Sequence, residues 1–304
     1  MRIVIFGATG FIGKRLFSSL DKEEYDLTVV SRDAEHARES LGEHAEFVEW
    51  DGSSEESVDE IVKGAWAVIN LAGESLAGKL WTDKQKEKIL HSRINTTSTI
   101  VNSINRLESK PHVYIQASAI GYYGSRGNQT LHESDPPGEG FLAEVTARWE
   151  EAAREVDNSV RLVLLRTGVV LGPGGGALQP MARPFKFGFG GHIGSGKQWF
   201  SWIHLDDEVR AIQFLLENRE AHGAYNLTAP DPVKMKTFAK DLARVLKRPA
   251  WFHVPAFLIR MVMGQMGKEL LLVSQKVSSE KLLEEGFKFQ FSDLRMALTN
   301  IYNS

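Results

Sequence analysis

Hydrophobic positions alternate between two regimes along most of this chain. Short, nearly continuous apolar runs rich in β-branched residues recur at Arg2–Phe6, Asp26–Val30, Phe47–Trp50, Trp66–Leu71, His112–Gln116 and Leu162–Arg166. Such runs predict strands covered on both faces, as in a parallel sheet. Between them the apolar residues fall three and four apart, which predicts helices. The clearest lie after Gly10 (Phe11, Ile12, Leu16, Leu20), over Ser54–Val62, within Thr82–Leu107 (Ile89, Ile94, Ile100, Val101 and Ile104 facing inward), and over Phe141–Val156 and Glu208–Leu216. Strand and helix in strict alternation with short turns predict an α/β fold, a doubly wound parallel sheet rather than a barrel.

Two tracts break the rhythm. Residues 172–196 are rich in glycine with interspersed prolines, and are expected to form an irregular excursion over the C-terminal edge of the sheet, where open α/β folds bind ligands. Ser125–Glu139 is expected to be a loop. From Pro230 onward the alternation stops, and helices are expected at Lys234–Leu246, Ala256–Met263 and Leu270–Leu283. The division that follows is a doubly wound domain at 1–228 and a smaller, mostly helical substrate-side region at 229–304.

The chemistry is concentrated at strand ends. After the first strand, Gly7, Gly10 and Gly13 stand three apart and open the first helix. Strand, glycine turn and helix present free amides and a helix N-terminus to a pyrophosphate. Gly7 serves the tight turn, Gly10 the approach of phosphate, and Gly13 the packing of helix on strand. The second strand ends in Ser31-Arg32-Asp33. A hydroxyl and an arginine suit the 2′-phosphate of NADP(H), while Asp33 keeps NAD as the less favoured alternative. Asp51 closes the third strand, where adenine is commonly met. Ala72 and Gly73 follow the fourth, small enough for the backbone to lie against ribose or diphosphate.

Composition narrows the classes without choosing among them. The 304 residues include 42% hydrophobic and 25% charged residues, with a formal net charge of −3 and a pI near 6.3. That balance gives no reason to expect nucleic acid or an anionic membrane as partner. The absence of cysteine excludes disulfides, thiolate catalysis and cysteine-ligated metals. No pair of histidines or carboxylates has metal-ligand spacing. With a strand starting at residue 2 and no membrane-length apolar run, a cytoplasmic protein without a leader is the expectation.

The chain resembles the extended short-chain dehydrogenase/reductase superfamily in its glycine signature GATGFIG, its Ser31-Arg32 ending, and the passages LRTGVVLGP (Leu165–Pro173) and WIHLDD (Trp202–Asp207). More narrowly it is similar to the atypical branch labelled "epimerase family protein", through NLAGESL (Asn70–Leu76), Ser92-Arg93, SAIGYYG (Ser118–Gly124) and GSGKQWFSWIH (Gly194–His204). Its C-terminal segment is similar to that branch's small domain of unknown function. The resemblance implies a Rossmann-type fold with its NADP-binding domain at 1–228, a substrate pocket between the sheet edge and the C-terminal part, and NADP(H) contacts at Gly7, Thr9, Gly10, Phe11, Ile12, Gly13, Ser31, Arg32, Leu71, Ala72 and Arg93.

Typical members of the superfamily carry a Tyr-x-x-x-Lys pair that exchanges a proton as hydride moves. Here Leu142 and Thr146 stand at those places. Leucine has no proton to give and threonine no charge, so the usual mechanism is absent. Ser118, Tyr122 and Tyr123 are the candidate substitutes, with Glu74 as a candidate base and Lys197 as a candidate anchor for an anionic substrate group. The expected activity is reduction or epimerisation of a small oxygenated substrate. The rival reading is a non-catalytic NADPH-binding protein with a regulatory or interaction role.

Overall fold

The computed structural model describes residues 1–52 and 54–303. Seven parallel strands form the central sheet: β1 (Arg2–Phe6), β2 (Asp26–Ser31), β3 (Glu46–Glu49), β4 (Ala67–Asn70), β5 (Val113–Ala119), β6 (Arg161–Thr167) and β7 (Gly223–Leu227). Their spatial order is β7-β6-β5-β4-β1-β2-β3. The chain therefore reverses direction of growth between β1 and β4, and a ligand crevice opens at their C-terminal ends. β7 is a strand that the hydrophobic pattern did not announce, because Gly223-Ala-Tyr-Asn carries no β-branched residue. It pairs in register with β6 from Gly223 opposite Val163 to Leu227 opposite Thr167.

Alternation along β1 sends Ile3 and Ile5 to one face and Val4 and Phe6 to the other. The first face packs under α1 (Phe11–Ser19) and α7 (Leu205–Glu217), the second under α3 (Glu55–Val62), α4 (Asp83–Arg106) and α5 (Phe141–Arg154), while α2 (Ala34–Leu41) flanks β2. On α4, Ile89, Ile100, Val101 and Ile104 are buried as expected, but Ile94 is only half-buried. Both faces of the sheet are dry. This is a Rossmann-type α/β fold.

The glycine-rich tract is more regular than its composition suggests. It contains α6 (Leu178–Lys186), whose Leu178, Ala182 and Phe185 are buried at helical spacing, and a short strand Gly191–Ile193 paired with Phe252–Val254. A third apolar cluster joins that tract to α8 (Met235–Leu246) and α11 (Leu294–Asn303), with Trp202 fully buried at its centre. Asp207 on α7 accepts the amides of Gln290 (2.9 Å) and Phe291 (2.8 Å), tying the C-terminal segment down.

Two further expectations change. The loop before α5 includes a short strand, Thr130–Leu131, which pairs with Lys276–Val277. The helix expected over Leu270–Leu283 is instead the end of α9 (Ala256–Leu270, kinked at Gly264 where φ is +55°), that strand, and the five-residue α10 (Glu280–Glu284). The backbone donor of Val277 is taken by Ser201 Oγ (3.0 Å) rather than by a helical carbonyl. A helix cannot form where its amides are already engaged elsewhere.

Candidate functional site

The turn after β1 fits its neighbours only because Gly7 and Gly13 carry no side chain. Gly7 has φ +81°, and a Cβ there would lie 2.7 Å from the backbone of Leu71 and Ala72, which leave the end of β4. A Cβ on Gly13 would come 2.3 Å from the Gly7 carbonyl oxygen. One on Gly10 would press only on the Gly7 carbonyl oxygen, at 3.2 Å, with no other atom within 4 Å, so this residue otherwise faces an open side. α1 begins at Phe11 with no side-chain cap and no acidic residue in its first turn. Its amide donors are thus left for an anion. Thr9 and Ile12 are half-buried beside this opening, and the ring of Phe11 is clasped by the backbone of Gly172, Gly175 and Gly176.

At the end of β2, Arg32 is exposed and forms no hydrogen bond or ion pair among the described residues. Asp33, by contrast, caps α2 by accepting the His36 amide (2.9 Å), and Ser31 Oγ accepts the Asp33 amide (3.2 Å). The acidic group is committed to the helix while the guanidinium is free. Asp51 lies exposed just beyond β3.

The segment after β4 is held from below by Arg93. Its guanidinium lies under Gly73, 3.1 Å from where a Cβ would stand, over the ring of Trp149, and donates to the Glu74 carbonyl (3.1 Å). Burial draws the Arg93 pKa down to about 10 against the pull of Glu74, so it remains charged near neutrality. Glu74 accepts from Gln85 (3.3 Å) and faces Lys88 (3.3 Å). Burial pushes its carboxyl up, but these contacts and the charge of Arg32 outweigh it, leaving it below the ordinary range. Ala72 N donates to Asn70 Oδ1 (3.1 Å), and Asn70 leads into a buried chain through Gln116, Thr97 and Trp149.

Ser118 and Tyr122 meet a network that the sequence reading did not single out. Arg166, on β6, is 2% exposed and grips Glu150 of α5 with two parallel bonds of 2.8 and 2.9 Å. Ser118 Oγ donates to the same carboxylate (2.7 Å), and Arg154 reaches it from solvent (2.7 Å). Arg166 also donates to the Tyr123 hydroxyl (2.9 Å), which in turn donates to Asn226 (2.7 Å). The Tyr122 ring lies flat against the Arg166 guanidinium at 3.6 Å, while its hydroxyl has no partner among the described residues. Burial opposes both charges of the pair, yet each holds the other ionised: Glu150 falls below the carboxylate range and Arg166 rises above its own. Burial pushes Tyr123 up to about 12. A charged residue inside the apolar run LVLLRT was the one available signal, since a buried charge requires a partner.

The places of the usual tyrosine and lysine are closed. Leu142 packs beneath Gly121, and Thr146 Oγ1 donates back to the Leu142 carbonyl (2.7 Å). Above them, Glu269 of α9 accepts the amides of Phe141 (3.1 Å) and Leu142 (2.8 Å), while Met263, Met266 and Leu270 pack on Trp81 and Val145. Lys197 stays exposed on its turn. The cap of α7 is His204, whose Nδ1 accepts the Asp206 amide (3.1 Å), while the Asp206 carboxylate pairs with Arg15 (2.7 Å).

The model of the NAD dependent epimerase/dehydratase family matches residues 3–228, and that of a domain of unknown function, DUF1731, matches 254–301. The chain belongs to the NAD dependent epimerase/dehydratase family. This epimerase-family chain is 39% identical over 306 residues to the epimerase family protein YfhF of Bacillus subtilis (strain 168), covering 99% of the chain and 98% of that relative. It is 39% identical to the chloroplastic SDR39U1 homolog of Arabidopsis thaliana, covering 99% and 86%. In structure it is similar to human epimerase family protein SDR39U1 (isoform 2), solved with NADPH: TM-score 0.90, 32% identity, the whole of both chains. It is also similar to a Corynebacterium glutamicum nucleoside-diphosphate sugar epimerase, with TM-score 0.80, 27% identity, 99% of this chain and 58% of that one.

Proposed function

We propose that this protein binds NADP(H) and uses it for oxidoreduction or epimerisation of a small oxygenated substrate, with a proton donor other than the usual tyrosine. The uncapped N-terminus of α1, backed by Gly7 against the β4 end, is the observation that carries the cofactor half. The unpaired Arg32 beside a committed Asp33 supports the phosphorylated coenzyme, as does the NADPH in the human relative. Bound coenzyme would supply the hydride. Gly7, Gly10 and the first turn of α1 would hold its diphosphate, Ser31 and Arg32 its 2′-phosphate, and Leu71 to Gly73, positioned by Arg93, its ribose. Of the three candidate donors, Tyr122 is favoured, because its hydroxyl is unengaged, whereas Ser118 is bound to a buried carboxylate and Tyr123 to Arg166 and Asn226.

Arg32→Ala is expected to weaken NADPH binding about ten- to a hundredfold, the worth of charge-assisted hydrogen bonds to phosphate. NADH binding should change by less than about threefold. Equal loss of both, read by calorimetric titration, overturns the assignment to NADP(H). Hydride transfer to carbonyl compounds and nucleotide sugars, followed by NADPH absorbance in parent and Tyr122→Phe protein, tests the enzymatic half.

One observation favours a second reading, in which NADPH is bound without being turned over. The α5 start, where a catalytic tyrosine would stand, is covered by α9 and capped by Glu269. Absence of turnover across the same panel, with tight NADPH binding, would favour it.

A further inference from the structure

Two tracts of this chain contain no carboxylate at all: residues 158–205 and 242–268. The fold brings them together, through the strand pair Gly191–Ile193 with Phe252–Val254. The surface they share is unusual in a second respect. Phe187, Phe189, Trp251 and Phe257 are 60–77% exposed, with Phe252 at 41% beside them. The rings of Phe189 and Trp251 each lie 6.3 Å from that of Phe252. On the first half of α9, Leu258, Met261 and Val262 join Phe257 at spacings of one, four and five, which is one helical face turned to solvent. With a whole aromatic side chain worth on the order of 200 Å², the five rings alone leave roughly 600 Å² of apolar surface open, at or above the largest patch of an ordinary soluble monomer.

Arg183, Lys186, Lys247, Arg248 and Arg260 surround this patch, all exposed, and none pairs with a carboxylate among the described residues. A second copy of the chain would bring the same cations face to face with no acid to answer them. An acidic soluble partner would need, besides its carboxylates, an apolar groove shaped to the protruding rings and aliphatic tips. Exposed tryptophan and phenylalanine beside an apolar helical face, fringed by Lys and Arg, match the headgroup layer of an anionic bilayer. The overall charge of −3 hides this local asymmetry.

We propose that the face built by residues 183–189 and 247–262 docks on the surface of an anionic phospholipid bilayer, with the exposed side of α9 entering the headgroup region. Among the described residues no helix is long and apolar enough to cross a membrane, so the contact is peripheral. The far half of α9 carries Glu269 and Met266 onto the start of α5, which sets the docked surface beside the substrate side of the fold.

The test is co-sedimentation of the full chain with vesicles of phosphatidylcholine alone and of phosphatidylcholine mixed equally with phosphatidylglycerol. Binding to the anionic vesicles is expected to exceed that to the neutral ones by about tenfold or more. Phe257→Asp with Met261→Asp, and separately Lys247→Glu with Arg260→Glu, are each expected to reduce it by about tenfold or more. All four side chains are exposed, so unchanged thermal midpoints and NADPH binding are expected in both variants. Failure to sediment with either vesicle overturns the proposal, as does sedimentation that both variants leave unchanged. A parent dimer that Phe257→Asp with Met261→Asp converts to monomer overturns it in favour of self-association, and capture of RNA lost in the charge variant overturns it in favour of nucleic acid.

Discussion

The N-termini of α1 and α5 lie along the same sheet edge and are treated in opposite ways. At α1 there is no cap, no acid and no side chain on the preceding glycine, so its donors are open. At α5 the preceding residue is also a glycine, Gly140 at φ +110°, yet the donors are filled by both oxygens of Glu269. Each helix end carries the positive pole of its dipole and needs an anion or a polar partner. One is arranged to take that partner from outside the chain; the other takes it from a helix some 128 residues away. The cofactor side of the fold is therefore retained, and the side where a proton donor would stand has been rebuilt around the C-terminal segment.

The comparison breaks most readily at Gly7. Gly7→Val would force a β-branched residue into a positive φ and press it on the Leu71–Ala72 backbone, at a cost of about 4 kcal/mol or more. Denaturant unfolding should record that loss, and NADPH should no longer raise the thermal midpoint of whatever protein remains folded. A variant that still responded to NADPH like the parent would show that the open α1 end is not where the coenzyme sits.

On the α5 side, Arg166→Met would leave Glu150 buried without its main counter-charge. Arg154 and Ser118 still reach that carboxylate, so the loss should fall near the lower end for a broken buried pair, about 3 kcal/mol. Adding Glu150→Gln should recover part of it, because the uncompensated charge is then gone. No recovery in urea unfolding would mean that the pair contributes through packing rather than charge.

How much of this was legible beforehand differs between the two ends. The α1 end is local: strand, three glycines and helix lie within a dozen residues, and steric rules fix what they must do. Arg32 and Asp33 are likewise adjacent, although only the fold shows that the aspartate is spent on capping α2. The α5 end is assembled from distant pieces. Glu150, Arg166, Asn226 and Glu269 are far apart in sequence, and each alone reads as an ordinary helix or strand residue. Helix α6 was hidden for another reason. Its buried positions keep helical spacing, but the glycines and prolines around them dominate the composition. Lys276–Val277 shows propensity overridden by tertiary contact, since its partners lie in a loop nearly 150 residues earlier.

An effect of similar size follows from Glu208, on the side of α7 that meets Thr167 of β6. It is fully buried, accepts from Thr167 (2.7 Å), and burial pushes its pKa up to about 8. The folded state then binds a proton that the unfolded chain releases near its ordinary 4.5. The stability this proton confers is complete below about pH 4.5 and is lost as pH rises toward 8. Glu208→Gln does not titrate, so relative to the parent it should gain about 3 kcal/mol between pH 5.5 and 8.5. A parent-minus-variant difference that is flat with pH would show that Glu208 is ionised in the fold.

The finest test concerns the cap itself. Glu269→Ala should release the amides of Phe141 and Leu142 and cost about 1 kcal/mol, the usual worth of an N-cap. Because the carboxylate binds only the α5 amides and Gln265 of its own helix (2.8 Å), NADPH affinity at α1 should stay within about twofold of the parent. Hydrogen exchange at Phe141 and Leu142 should rise while exchange at Phe11 to Gly13 is unchanged. If NADPH binding instead weakened along with the α5 amides, the two helix ends would be coupled through α9, and the independence of the open and closed ends would be lost.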